Sequence, residues 1–377
     1  MNKKLILITN VSVFLCLLLV VGAFGMGEVP SSPTEEVEII ENIVAQTGGA
    51  PAQEEYQKKV LMKIPWGKTT LGKGTKPGEL GVRLVEGLGF VPDRLAVDSN
   101  GNIYIFDKVN NRINKYNRFG KFVRDYQLDS LKVLPAKVKG RPPIIVENDV
   151  DMGVDGQGNV YILNSKEGKI RKLDANGQLI EKISAPEEAD YLRVSINGKV
   201  EAMGYKDGRT EMFDLSSKKI KAVKGLKTPG GLTVVIEQSK GVNKPRQIKI
   251  FNRDGTLLRR MEIKVPYELY WVDFLGADEK GCIYIVMERQ GDETRKAEAA
   301  PGKFEIVRDV NVYVRKYNPN GQDMMVELKF NLWGVGLPGY IKCFSLDKKG
   351  NIYMLAMYED AYSGEGKFKV FKWEGKK

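Results

Sequence analysis

Asp98-Ser-Asn-Gly101-Asn-Ile-Tyr-Ile105 decides the fold, because the chain repeats it. The same punctuation returns as Asp155-Gly-Gln-Gly158-Asn-Val-Tyr-Ile162, Asp278-Glu-Lys-Gly281-Cys-Ile-Tyr-Ile285 and Asp347-Lys-Lys-Gly350-Asn-Ile-Tyr-Met354. A weaker copy, Ser195-Ile-Asn-Gly198-Lys-Val-Glu-Ala202, lies between them. Self-similarity at a period of roughly 40 to 50 residues marks a propeller or a solenoid. Each copy reads as the first hairpin of one unit. A short alternating strand, Leu95 to Asp98, runs into a turn whose Gly supplies positive φ, and an aromatic and β-branched strand, Asn102 to Phe106, leaves it.

Working outward, a third strand (Arg112 to Tyr116), a second Gly turn at Gly120 and a fourth strand (Phe122 to Tyr126) complete the unit. The two turns are 19 residues apart from Gly101 to Gly120, and again 19 from Gly158 to Gly177. Six such units are centred near residues 110, 165, 205, 248, 300 and 357. The expected fold is all-β: a six-bladed β-propeller of four-stranded antiparallel blades. The fourth blade is expected to be irregular, with no clear inner strand before Leu232. The last unit stops after its third strand, Val370-Phe-Lys-Trp-Glu374. Val60-Leu-Met-Lys-Ile-Pro-Trp66 has the character of a fourth strand, so the ring is predicted to be closed by this N-terminal strand, which removes an exposed sheet edge.

Pro77-Gly-Glu-Leu80, Val91 through Asp107 and Asn111-Arg-Ile-Asn-Lys-Tyr116 together resemble an NHL repeat. Over residues 58–377 the chain is similar to six-bladed NHL-type propellers, whose wider relatives include the gluconolactonase group, strictosidine-synthase-like proteins and amidating lyases. The resemblance implies a fold rather than an activity. It also implies that Asp107, Asn111 and Arg112 brace the blade.

Ahead of the ring, Met1-Asn-Lys-Lys4 and the apolar run Leu5 to Phe24 read as an export signal. It is either cleaved after Ala23-Phe-Gly25 or retained as a membrane anchor over residues 1–26; a run of about 20 residues is long enough to span a bilayer. Cys16 follows Leu15, where lipidation wants a small residue. Residues 27–57, rich in Glu, Pro, Ser and Gly, are expected to be an acidic flexible linker. Residues 1–57 carry two Lys and seven Glu, so the rest holds +16 against +11 for the whole chain. Outside the cytosol such charge points to an anionic envelope polymer or a protein partner, with no intracellular nucleic acid expected.

The chain contains no His. A Ser-His-Asp triad, a His-ligated zinc and an imidazole base are therefore excluded, and with them the usual mechanisms of amidating lyases, His-dependent lactonases and streptogramin-type lyases. Cys282 and Cys343 read as core thiols. One candidate site is the channel mouth, where the inner strands begin. It carries Asp93, Arg94, Asp149, Asp151, Asp190, Asp273 and Lys342. Converging carboxylates there would suit Ca²⁺ or Mg²⁺, although no cofactor is required by the fold. The other candidate is a basic face on the loops of the same rim: Lys108, Lys132, Lys137, Lys139, Arg141, Lys206, Arg209 and Lys244. Residues 288–311 form a long insertion on that rim. The expected function is an exported binding or scaffolding module at the cell envelope; the alternative is a divalent-metal-dependent hydrolase or lactonase at the Asp-lined mouth.

Overall fold

The computed structural model describes residues 39–42 and 56–375, apart from 69–75, 86–87, 129–130, 135–143, 148, 187–188, 207–208, 216–220, 223–224, 229–230, 238–245, 264–268, 301–302, 320–322, 332–334, 337–339 and 359–366. The export signal lies outside the described residues, as does most of the expected linker. Among the described residues no helix is long and apolar enough to cross a membrane.

The repeat folds as its residues dictate. Arg94–Val97, Ile103–Asp107, Arg112–Tyr116 and Phe122–Gln127 pair in that order to form blade 1. Blade 2 is Asp149–Val154, Val160–Asn164, Lys169–Leu173 and Leu179–Ser184, and blade 3 starts at Ala189–Val194 and ends at Lys221–Ala222. Blade 5 is Leu269–Ala277, Ile283–Ala300, Lys303–Tyr317 and Asp323–Asn331. Its middle strands carry the 288–311 insertion, which is a long hairpin paired out to Ala300 and Lys303.

Blade 4 has the expected irregularity. Its inner strand is only Leu226–Lys227, followed by Thr233–Glu237, Arg246–Phe251 and Leu257–Ile263. Thr228 takes the turn position held elsewhere by Asp, its hydroxyl accepting from Leu232 N at 3.1 Å. Ile39–Asn42, within the stretch read as linker, pairs antiparallel with Leu257–Ile263 as a fifth strand.

Blade 6 is closed as predicted. Phe344–Leu346, Ile352–Tyr358 and Lys367–Gly375 receive Tyr56–Lys68 as the outer antiparallel strand, with Tyr56 opposite Gly375 and Pro65 opposite Lys367. A hairpin between Leu131–Leu134 and Ile144–Glu147 joins blades 1 and 2.

The core lies between blades rather than within one. Tyr104, Phe106 and Ile113 of blade 1 pack on Met152, Val160 and Ile162 of blade 2; blades 2 and 3, 4 and 5, and 5, 6 and 1 meet similarly. Fully burying one such side chain stabilises by about 1.5–3 kcal/mol.

The repeated Asp and Tyr lock each turn. Asp98 Oδ1 accepts from the backbone of Asn100 and Asn102, both at 2.9 Å; Oδ2 accepts from Asn102 Nδ2 at 2.8 Å and Tyr104 Oη at 3.1 Å. Asp155 with Tyr161, Asp278 with Tyr284 and Asp347 with Tyr353 repeat the hydroxyl bond at 3.0–3.1 Å. The four tyrosines are thus blade packing, as expected. Over each ring lies a third-strand lysine: Lys115, Lys172, Lys316 and Lys372 sit 5.1–5.6 Å from the centroids of Tyr104, Tyr161, Tyr284 and Tyr353. Part of the chain's positive charge therefore serves the fold through cation–π contact.

The bracing residues implied by the resemblance do hold a neighbouring segment. Buried Asp107 accepts from Gly81 N at 3.1 Å and from Asn110 Nδ2 at 2.6 Å, with Arg112 Nε at 3.5 Å. Arg112 donates to the carbonyls of Glu79 at 2.7 Å and Lys76 at 3.2 Å, and Asn111 is left-handed at φ 53°. Burial outweighs these donors and pushes Asp107 from 3.8 up to about 6. A raised carboxyl pKa means that its contribution to stability is full below the unfolded value and is lost as pH rises through the folded one. Relative to Asp107→Asn, wild type should therefore lose about 3 kcal/mol between roughly pH 4 and pH 7 in urea titrations. Parallel pH profiles for the two proteins would show that Asp107 is already ionised at the lower pH.

Candidate functional site

First strands start, second strands end and third strands start at one rim of the ring; the Asp-Gly turns lie at the other. At the strand-start rim the candidate acids are drawn into ion pairs and hydrogen bonds rather than towards one point. Asp93 receives Lys108 Nζ at 2.8 Å. Buried Asp149 takes Asn164 Nδ2 at 2.7 Å and Arg171 Nη2 at 2.5 Å. Buried Asp151 accepts from Leu192 N at 2.7 Å. Asp273 takes part through its backbone, opposite Val286. Among the described residues no three acidic or thiol groups lie together where they could hold a metal ion. The described acids at this rim therefore do not form a cage for Ca²⁺ or Mg²⁺.

What the rim does build is a set of bonds across the axis. Arg94 of blade 1 is buried and donates through Nη2 to Leu192 O of blade 3 at 2.8 Å, with Nε 3.6 Å from Asp151 of blade 2. Its guanidinium lies 5.0 Å from the Tyr191 ring centroid. Lys342, from the turn that opens blade 6, reaches Asp151 Oδ1 at 3.8 Å, Asp190 O at 3.5 Å and the Tyr191 ring at 5.3 Å. Blades 1, 2, 3 and 6 are thus tied together by side chains meeting near the axis. Burial opposes the charge on Arg94, but Asp151, Tyr191 and Asp93 outweigh it and its pKa moves up. Asp190 is exposed; desolvation raises its pKa and Lys342 works against the rise.

Below this network, Arg193 donates to Phe274 O and lies 5.2 Å from that ring centroid, joining blades 3 and 5. Neither Tyr191 nor Arg193 was among the sequence candidates. The available signal was a charged residue, Arg193, inside an inner strand, where the other blades carry Ala96, Gly153 and Gly276.

The basic face divides. Lys108 is not a free cation of that face, because it neutralises Asp93. Lys206 and Arg209 are register partners at the hairpin end between the second and third strands of blade 3. Lys132 lies on the strand Leu131–Leu134. Lys137, Lys139, Arg141 and Lys244 lie outside the described residues. Cys282 and Cys343 are buried thiols outside any disulfide, as expected of core thiols.

No protein-family model and no curated protein matches the chain. Among solved structures it is similar to hydrazine synthase from Kuenenia stuttgartiensis, at 15% identity over 72% of this chain and 78% of that one, with a TM-score of 0.38. It is similar to virginiamycin B lyase from Staphylococcus aureus, at 12% identity over 84% and 99% of the two chains and a TM-score of 0.35. A putative gluconolactonase gives 11% identity over 86% and 94%, with a TM-score of 0.39. Likenesses this distant decide nothing about chemistry, and the fold rests on the sheet topology itself.

Proposed function

We propose that the chain is an exported binding or scaffolding module of the cell envelope that holds an anionic polymer on its strand-start rim. The observation that carries this reading is the contrast on that rim. Of its described acids, Asp93, Asp149 and Asp151 are each matched by cations, while Lys206 and Arg209 end a hairpin there, on a ring of net charge +16. A rigid ring bearing such loops attracts polyanions over distances of about a Debye length, about 8 Å at physiological salt.

The test is binding of the full chain to dextran sulfate over a salt series. Reversing Lys137, Lys139 and Arg141 to Glu should weaken binding at least about tenfold and flatten its salt dependence. Reversing Arg118 and Lys121, on a turn of the opposite rim, should change it little. Equal losses from the two sets would sink the assignment of a face. The metal content of the dialysed protein separates the hydrolase alternative, which requires about one equivalent of Ca²⁺ or Mg²⁺ per chain.

A further inference from the structure

Beneath the Arg94–Tyr191 network lies an axial cavity of about 130 Å³. First strands of blades 1, 2, 3, 5 and 6 wall it, and it extends to the opposite, turn rim at Ser195, Ile196 and Lys348. Much of the wall is apolar, from Leu95, Val97, Phe274 and Leu346. The polar part is cationic. Arg94, Arg193, Lys199 and Lys348 line it, against two acids, Glu201 and Asp347.

Both acids already have partners of their own. Glu201 pairs with Lys199, which also lies 3.4 Å from Asp214. Asp347 is held inside its own turn by Lys349 N, Asn351 and Tyr353 Oη at 2.8–3.0 Å. On the cation side, Arg94 and Lys342 share the single carboxylate of Asp151. Arg94 is 9% exposed and its Nε faces Asp151 Oδ1 at 3.6 Å. Among the described residues no acid pairs with Lys348. A half-enclosed space lined by four cations against two acids, with Lys348 in no described ion pair at its mouth, favours an anion.

We propose that this cavity is a binding site for a small carboxylate with an apolar body, which enters from the turn rim. An engineered apolar cavity of about 150 Å³ takes up benzene, so this space of about 130 Å³, open at one rim, takes one small ring with its carboxylate left at the mouth, and no polymer. The carboxylate meets the cations and the body lies among Phe274, Leu95 and Leu346. The site is separate from the rim proposed to hold a polyanion.

The probe is benzoate, titrated into the full chain by calorimetry and thermal denaturation, with benzamide as neutral isostere and sodium chloride as ionic control. Benzoate should raise the melting temperature saturably, with Kd below about 1 mM, while benzamide and chloride should not. Lys348→Gln should weaken benzoate at least about tenfold, and Ser345→Phe, which fills the cavity, should abolish it. Dextran sulfate binding should survive Lys348→Gln, so that failure here is distinguishable from failure of the polyanion reading. Chloride matching benzoate, or benzoate binding unchanged in Lys348→Gln, would overturn the proposal; if Ser345→Phe does not fold, the Lys348 result stands alone.

Discussion

Deleting residues 56–65 is expected to abolish the cooperative unfolding transition of the ring. This strand is the outer ladder of blade 6, in antiparallel register with Lys367–Gly375. It buries Met62 and Ile64, stacks Lys58 Nζ 4.5 Å from the Phe371 ring centroid, and pairs Lys59 with Glu374 at 2.6 Å. Losing each large buried side chain costs about 2–5 kcal/mol, and each ladder hydrogen bond about 1 kcal/mol more. The sum exceeds the 5–15 kcal/mol that typically separates folded from unfolded states. It also leaves the edge of Lys367–Gly375 open to pairing with other chains. Circular dichroism against temperature, together with light scattering, checks this. A deletion variant that melts cooperatively within a few degrees of wild type would refute closure by this strand.

The second large effect is expected at Gly350. Its φ is +83°, and a Cβ there would stand 2.2 Å from Tyr284 Oη and 3.0 Å from Asp278 Oδ2 of the preceding blade. Gly350→Ala therefore adds left-handed strain, about 1–2 kcal/mol, to displacement of a buried hydroxyl from its carboxylate, about 1–3 kcal/mol. The expected loss is about 2–5 kcal/mol by urea denaturation. Tyr284→Phe removes the obstructing oxygen, so Gly350→Ala in that background should cost only the strain. A double-mutant cycle with no coupling would show that the two blades do not meet through this hydroxyl.

Much of the fold is legible because its determinants are local. The Asp, Gly and Tyr of each copy lie within seven residues, and hydrogen bonds inside the turn explain why those types recur. The closing strand is legible because the last unit lacks a partner and Val60 to Trp66 has the right alternation. Blade 4 is obscured by substitution: Thr228 accepts through a hydroxyl where the other blades use a carboxylate. The candidate site is less legible because its partners are far apart in sequence. A period assigns Arg94 and Leu192 to equivalent strands but does not say that the guanidinium of one reaches the carbonyl of the other. Acids at four strand starts looked convergent in the repeat frame; the cations that hold several of them apart are contributed by other strands and other blades.

The closing strand also gives the ring a handle and a working side. The backbone arrives at Tyr56, whose hydroxyl lies 3.3 Å from Gly350 O on the turn rim, and crosses the blade to Pro65 on the other rim. The long blade 5 hairpin, tipped at Ala300 and Lys303, projects from that second rim. A reporter fused ahead of Tyr56 and one inserted at 301–302 would therefore emerge on opposite sides of the disc. Immobilising the protein through the first leaves the hairpin side facing the bulk, and immobilising it through the second turns the mouth of the axial cavity outward instead.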